Sequence, residues 1–156
     1  MCNFKSLVCI KGETEPRWSD KFDSHGKLLD SLGLKDDALH LRKFVKIEYI
    51  PNKWGKNLEA PPRNKWTFKV DEESTLPGWF EDDRQLWEDR CWNVIDTLIP
   101  QIGKGVFPGD LSIYGDAKLD APNLETVGGN LYINGDAKLD APKLSKVNGK
   151  AYKHGN

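Results

Sequence analysis

The octapeptide GDAKLDAP occurs twice, beginning at Gly115 and again at Gly135. No other feature restricts the fold of this chain as sharply. On the 20-residue period that it sets, Leu111 and Ile113 align with Leu131 and Ile133, and Leu119, Leu124 and Val127 align with Leu139, Leu144 and Val147. The Leu-x-Ile alternation places both aliphatic side chains on one face of a short strand. Gly115 and Gly135 leave that strand, and Gly128–Gly129 or Asn148–Gly149 turn into the next. Leucines at fixed places in such a period are the pattern of a solenoid with one strand per rung.

Two copies are too few to stand alone, because burying five aliphatic side chains per copy falls short of the backbone entropy lost in ordering it. One end of the array therefore needs a cap. At the other end AYKHGN puts Ala151 and Lys153 where the preceding copies have an aliphatic pair, as a polar terminal rung would. All six tryptophans precede Gly105. That shift in composition divides the chain into a Trp-rich body over residues 1–105 and a repeat cap over residues 106–156. Ile102, Val106 and Phe107 in the stretch IPQIGKGVFPGD predict a packed junction and a continuous core rather than a linker.

Units such as GGNLYINGDAKLDAPKL resemble the leucine-rich-repeat-like rungs of bacterial and phage-borne repeat proteins, over residues 107–154. The resemblance implies a parallel sheet, with one departure: Gly-Asp follows the strand where such rungs carry an asparagine ladder. The expected fold class is α+β, a small N-terminal body capping a short leucine-rich-repeat-like β-solenoid of 20-residue rungs.

Within the body, NFKSLVCIK alternates as a strand, and FVKIEYI (44–50) and WTFKV (66–70) read as two more. DSHGKLLDSLGL reads as a short helix, with Asp23 or Ser24 as its cap and Gly33 as its stop. PGWFEDDRQLWEDRCWNVIDTLIP is the clearest helix. Phe80, Trp87, Cys91, Val94, Ile95 and Leu98 form its apolar stripe, and Pro100 is expected to end it. Trp92 falls off that stripe, to pack on the repeat cap or to face a partner. The order DSHxxLLxxxGLKDD, FVKIEYIP, WTFKVDEE and LPGWF is similar to a recurring N-terminal segment of small bacterial and phage-associated proteins, over residues 3–90, to which no activity is attached.

Composition narrows the function classes. The net charge of −1 argues against a strongly cationic nucleic-acid binder and against an acidic DNA mimic. No apolar run is long enough to span a bilayer, and MCNFKSLVCIKGE is too short and too soon charged for a signal peptide. A cytoplasmic protein is expected. Cys2, Cys9 and Cys91 lack a CxxC pair and read as reduced thiols. A zinc site would need His25, His40 or His154 at an unfamiliar spacing. No phosphate-binding, dinucleotide-binding or nucleophile-elbow motif is present. Neither a metal nor a cofactor is implied.

Asp23-Ser24-His25 holds the residue types of a catalytic triad, but neighbours in sequence diverge in space, and capping is the better account. An enzyme would need a cleft in which His25 meets a carboxylate from another segment. Asp36-Asp37 and Asp71-Glu72-Glu73 have no metal-loop spacing and read as solvated turns. The period stacks Asp116 with Asp136 and Asp120 with Asp140 into acidic columns, with Lys118 and Lys138 as a basic column between them. Lys46, Lys53, Lys56, Arg63, Lys65 and Lys69 interleave with Trp54 and Trp66, whereas residues 71–89 carry eight acids and one arginine.

A two-signed surface suits a protein partner. The expected function is a non-enzymatic protein-binding module. Trp54, Trp66 and Trp92 serve as its anchors, and Lys53, Lys56, Arg63, Lys65, Lys118, Lys138, Asp116 and Asp136 set register. The resemblance to phage-borne proteins implies a sharper version, an inhibitor of a bacterial defence system, of the anti-CRISPR kind, acting by occlusion in the host cytoplasm. The alternative is a nucleic-acid-binding accessory protein that uses residues 46–69. A monomer is expected, or a weak homodimer through the strand edge at residues 150–154, which Lys150 and Lys153 disfavour.

Overall fold

The computed structural model describes residues 4–35, 43–71 and 76–154. Cys2, His40, Asp36-Asp37 and Glu72-Glu73 lie outside the described residues, as do the side chains of Lys56 and His154. The body is built on an antiparallel sheet, β1 (Lys5–Ile10), β2 (Phe44–Pro51) and β3 (Trp66–Val70), with β2 in the middle. Alternation in β2 buries Val45, Ile47 and Tyr49 toward one side. Both faces of β1 are covered. Leu7 and Cys9 join the cluster that contains α3 (Arg84–Gly103), and Val8 meets Leu28 and Leu29 of α1 (His25–Ser31) and Phe44 of β2.

Ser24 caps α1, its Oγ accepting the Lys27 N–H. The expected long helix divides into a single turn, α2 (Gly78–Glu81), and the 20-residue α3. Trp87, Cys91, Val94, Ile95 and Leu98 are buried on its inner stripe. Pro100 does not end α3, which runs on to Gly103; near a C-terminus the proline forfeits one main-chain bond that the packing of Ile102 offsets.

The repeat region holds eight short strands: β4 (Val106–Phe107), β5 (Leu111–Ile113), β6 (Lys118–Asp120), β7 (Thr126–Val127), β8 (Leu131–Asn134), β9 (Lys138–Asp140), β10 (Lys146–Val147) and β11 (Ala151–His154). They pair in parallel, each residue facing the one 20 positions on, in the orders β10-β7-β4, β11-β8-β5 and β6-β9.

This corrects the expected leucine-rich-repeat-like solenoid. Each 20-residue copy breaks into three strands of two to four residues instead of one, and they belong to separate sheets of two or three strands. Among the described residues no sheet closes and none runs on as a solenoid. The physical cause is in the copies themselves: Gly115, Pro122 and Gly128-Gly129 interrupt extended backbone every few residues, and two copies supply at most three strands to any sheet. The molecule is α+β, with an antiparallel sheet in the body and small parallel sheets after it.

One buried cluster crosses from one part to the other. It takes Phe4, Tyr49 and Trp66 from the body, Ile95 and Leu98 from α3, and Phe107, Leu111, Val127 and Leu131 from the repeats. Phe107 is the hinge of that core, its ring edge-on to Phe4 at 5.4 Å and to Trp54 at 5.7 Å. No helix among the described residues is long and apolar enough to cross a membrane.

Candidate binding groove

Residues 51–60 carry the body over to the repeats. Asn52 N–H donates to Lys65 O (2.8 Å), and Gly55 N–H donates to Glu59 O (2.8 Å). Asn57 and Leu58 both take left-handed backbone, each with φ 58°, a conformation that costs a non-glycine residue about 1–2 kcal/mol. Two contacts hold them there. Leu58 is buried in the shared core, and Asn57 Oδ1 accepts the Asn123 N–H at 3.1 Å. The loop is thus fastened to the repeat region by its own side chains.

Fastening it opens a groove of ≈ 370 Å³ between Pro51–Trp54 and the β5–β6 segment. Leu111, Ile113, Ala117 and Leu119 supply an apolar wall and Tyr114, 38% exposed, stands at its mouth. Trp54 forms the facing wall, its half-buried ring set edge-on against Phe4 (5.3 Å) and Trp66 (5.8 Å). Lys53 and Lys118 are the charged residues that line it, and both are exposed. Among the described residues no carboxylate lines the groove. Two cations beside an aromatic and aliphatic trough can hold an apolar side chain flanked by negative charge.

The chain matches no family model, no curated protein and no solved structure.

Of the expected binding residues the groove unites Lys53, Trp54 and Lys118. Trp66 is not available as an anchor: it is buried, and its Nε1–H donates to Pro61 O at 2.9 Å. Trp92 packs on the body rather than on the repeats, 5.5 Å from both Tyr49 and Trp66. The Arg63 guanidinium covers it at 5.5 Å and pairs with Asp89 at 2.5 Å. That pairing raises the pKa of Arg63 and lowers that of Asp89. Lys65 is exposed away from the groove, in the turn Arg63–Lys65. Lys56 belongs to the turn Lys56–Leu58. Asp116 and Asp136 are exposed in the turns that precede β6 and β9, and Lys138 pairs with Lys118 across those strands.

A second polar centre was missed by sequence reasoning. Asp23, expected as a cap or triad member, is buried at the seam. Its Oδ1 lies 2.7 Å from Lys5 Nζ in an ion pair whose side chains are 1% and 0% exposed. Lys5 also donates to Ser19 O (3.0 Å) and Pro108 O (2.9 Å), and Ser6 Oγ donates to Asp23 O. From Asp23 a ladder climbs the repeats. Asp110 N–H donates to Asp23 Oδ2 (2.7 Å), Asn130 N–H to Asp110 Oδ1 (2.7 Å), and Lys150 N–H to Asn130 Oδ1 (2.8 Å). A side-chain ladder is therefore present after all, one position beyond Gly109, Gly129 and Gly149. A Cβ on any of these glycines would come within 2.1–2.2 Å of the acceptor oxygen, so the ladder needs glycine there. The signal lay in the 20-residue recurrence of glycine before residues 110, 130 and 150.

A half-enclosed cavity of ≈ 390 Å³ adjoins this seam, lined among others by His25, Glu48, Asp110 and Tyr132. His25 Nδ1 lies 3.7 Å from Asp71, a carboxylate from another segment that is not among the residues lining the cavity. The His25 Nε2 bonds Ile47 O at 2.8 Å, and Ser24 Oγ caps α1. Ser24 and His25 are thus engaged with main chain rather than with each other. Among the described residues no three His, Cys, Asp or Glu side chains cluster as a metal site. Cys9 and Cys91 are buried thiols 3.8 Å apart, and burial pushes the Cys91 pKa well up.

Proposed function

We propose that this protein is a non-enzymatic protein-binding module whose groove takes an extended segment bearing an apolar side chain beside acidic residues. The observation that carries the reading is convergence. Lys53 and Trp54 come from the body, Tyr114 and Lys118 from the repeats, and a strained loop holds them against one trough. Pre-organised aromatic walls lose little entropy on binding, and the two lysines favour an acidic partner. An occluding inhibitor of a bacterial defence complex, the role implied by the sequence resemblance, is one such module. The nucleic-acid alternative is weakened by the same packing. Trp66 is buried and Arg63 is tied to Asp89, so residues 46–69 do not present a continuous basic and aromatic face.

Affinity capture from a bacterial lysate tests this reading. The chain should retain a protein that Lys53→Glu with Lys118→Glu fails to retain, and Trp54→Ala should weaken capture by about 2 kcal/mol or more. Affinity for the captured protein should fall only shallowly with salt. Capture unaffected by both variants, or a steep linear loss of log affinity with log salt in favour of nucleic acid, would refute it.

A further inference from the structure

The two aligned copies differ in one consistent way. Residues 115–134 carry one lysine and three acids, Asp116, Asp120 and Glu125, whereas residues 135–154 carry five lysines and two acids. The four added lysines, at positions 143, 146, 150 and 153, stand where the preceding copy has Asn123, Thr126, Asn130 and Ile133. The correspondence holds in space: Lys146 pairs with Thr126 and Lys153 with Ile133 across parallel strands, and the Lys150 N–H is held by Asn130. All five lysines are exposed. They lie on or beside β9, β10 and β11, the last strands of their sheets, and no described strand pairs with the outer edges.

The polar ladder changes character at the same place. Asp23, Asp110 and Asn130 each offer an oxygen to the main-chain N–H of the layer above. Lys150, at the next position, offers an ammonium group. A strand added here meets a donor where each earlier layer met an acceptor, and the matching side chain on it is a carboxylate. We propose that the outer edges of β10 and β11, one in each of two sheets, successively receive an extended acidic segment of a protein partner by strand addition, its main chain pairing with those edges and its carboxylates with Lys146, Lys150 and Lys153.

A second copy of this chain is a poorer occupant. Edge to edge, it sets lysine against lysine. Head to tail, it finds β4 covered by α3 and β6 by the turn Lys56–Leu58, and the Asp110 N–H beside β5 already taken by Asp23. Nucleic acid would answer the charge but leave the main-chain groups of the edge unmet. Lysines also guard strand edges against aggregation, and that role by itself predicts no ligand.

The test is titration of a fluorescein-labelled peptide of about ten residues, alternating Glu with Thr so that it offers the groove no large apolar side chain, into the full chain at about 0.15 M salt. Saturable binding is expected, weakened about tenfold or more by Lys150→Glu with Lys153→Glu. The same peptide interrupted by a central proline keeps its charge but loses main-chain pairing, and should bind at least about tenfold more weakly. That comparison uses the unaltered chain and needs no variant to fold. Binding lost with Lys53→Glu and Lys118→Glu but kept with the edge variant would place the peptide in the groove and overturn the proposal. Absence of saturable binding, equal binding of the proline peptide, or tighter binding of a single-stranded oligonucleotide of matched charge would each overturn the proposal.

Discussion

Ala121 and Ala141 occupy the same place in two identical octapeptides, yet Ala121 is fully buried and Ala141 only half-buried. The same step recurs along the copies. Leu124 and Val127 are buried where Leu144 and Val147 are half-exposed, and Leu131 is buried where its counterpart is an exposed Ala151. The interior copy has the body on one side and the second copy on the other, whereas no described element covers the far side of the terminal copy. At one position the order reverses: Ala137 is buried while Ala117 is exposed, because Ala117 lines the groove under Trp54. Local sequence therefore sets which residue faces which, and the neighbours decide what each contact contributes to stability.

The most direct way to break this comparison is to remove one leucine from each copy. Leu124→Ala should cost about 3 kcal/mol and Leu144→Ala about 1 kcal/mol, since the second site can relax into solvent. Urea denaturation followed by tryptophan fluorescence reads both. Equal losses would mean that the two copies are covered alike and that the terminal one has a partner already.

The same contrast explains what could be read before the structure and what could not. Val45, Ile47 and Tyr49 alternate, and Trp87, Cys91, Val94, Ile95 and Leu98 recur at helical spacing, so periodicity alone located the sheet and the long helix. The 20-residue register was equally legible, because GDAKLDAP is repeated letter for letter. How each copy subdivides was not, since a leucine period does not report that glycine and proline cut the strand into three. The groove was half legible: Trp54, Lys53 and Lys118 were singled out as residue types, but their meeting depends on left-handed backbone at Asn57 and Leu58, which no glycine announces. Burial of Asp23 was hidden because an aspartate before a helix has an ordinary explanation as a cap, and its cation, Lys5, lies in another segment.

The ends of the ladder sharpen the comparison through pH. At the body end, burial pushes the Asp23 carboxyl up to about 7 from an ordinary 3.8, against the lowering effect of Lys5. At the far end Lys150 is exposed to solvent. A carboxyl that holds its proton more tightly when folded favours the fold in the acid range, and that support is lost as pH rises through the folded value. Unfolding free energy should therefore fall by about 2 kcal/mol between about pH 5 and pH 8. Lys5→Met with Asp23→Asn, which removes both buried charges, should flatten that slope. A slope of the opposite sign in the unaltered chain would mean that Lys5 and the Asp110 N–H outweigh burial and hold Asp23 as the carboxylate.

The smallest effect concerns the faces that the two copies present to each other in solvent. Across β6 and β9, Lys118 faces Lys138 and Asp120 faces Asp140, two like-charged pairs on either side of the Leu119–Leu139 contact. Like charges directly opposite one another destabilise a strand pair by about 0.2–1 kcal/mol, less where water screens them. Exchanging the charges of one strand, Lys138→Asp with Asp140→Lys, leaves composition and net charge unchanged and makes both pairs complementary. The melting temperature should rise by about 1–3 °C at low salt, and the gain should vanish at about 1 M salt, where the screening length is about 3 Å. A rise that survives high salt would come from altered packing instead. No rise at low salt would mean that Lys118 and Lys138 lean apart, toward the groove and the open edge, and that the repeat tolerates its charge columns because its two copies use them for different surfaces.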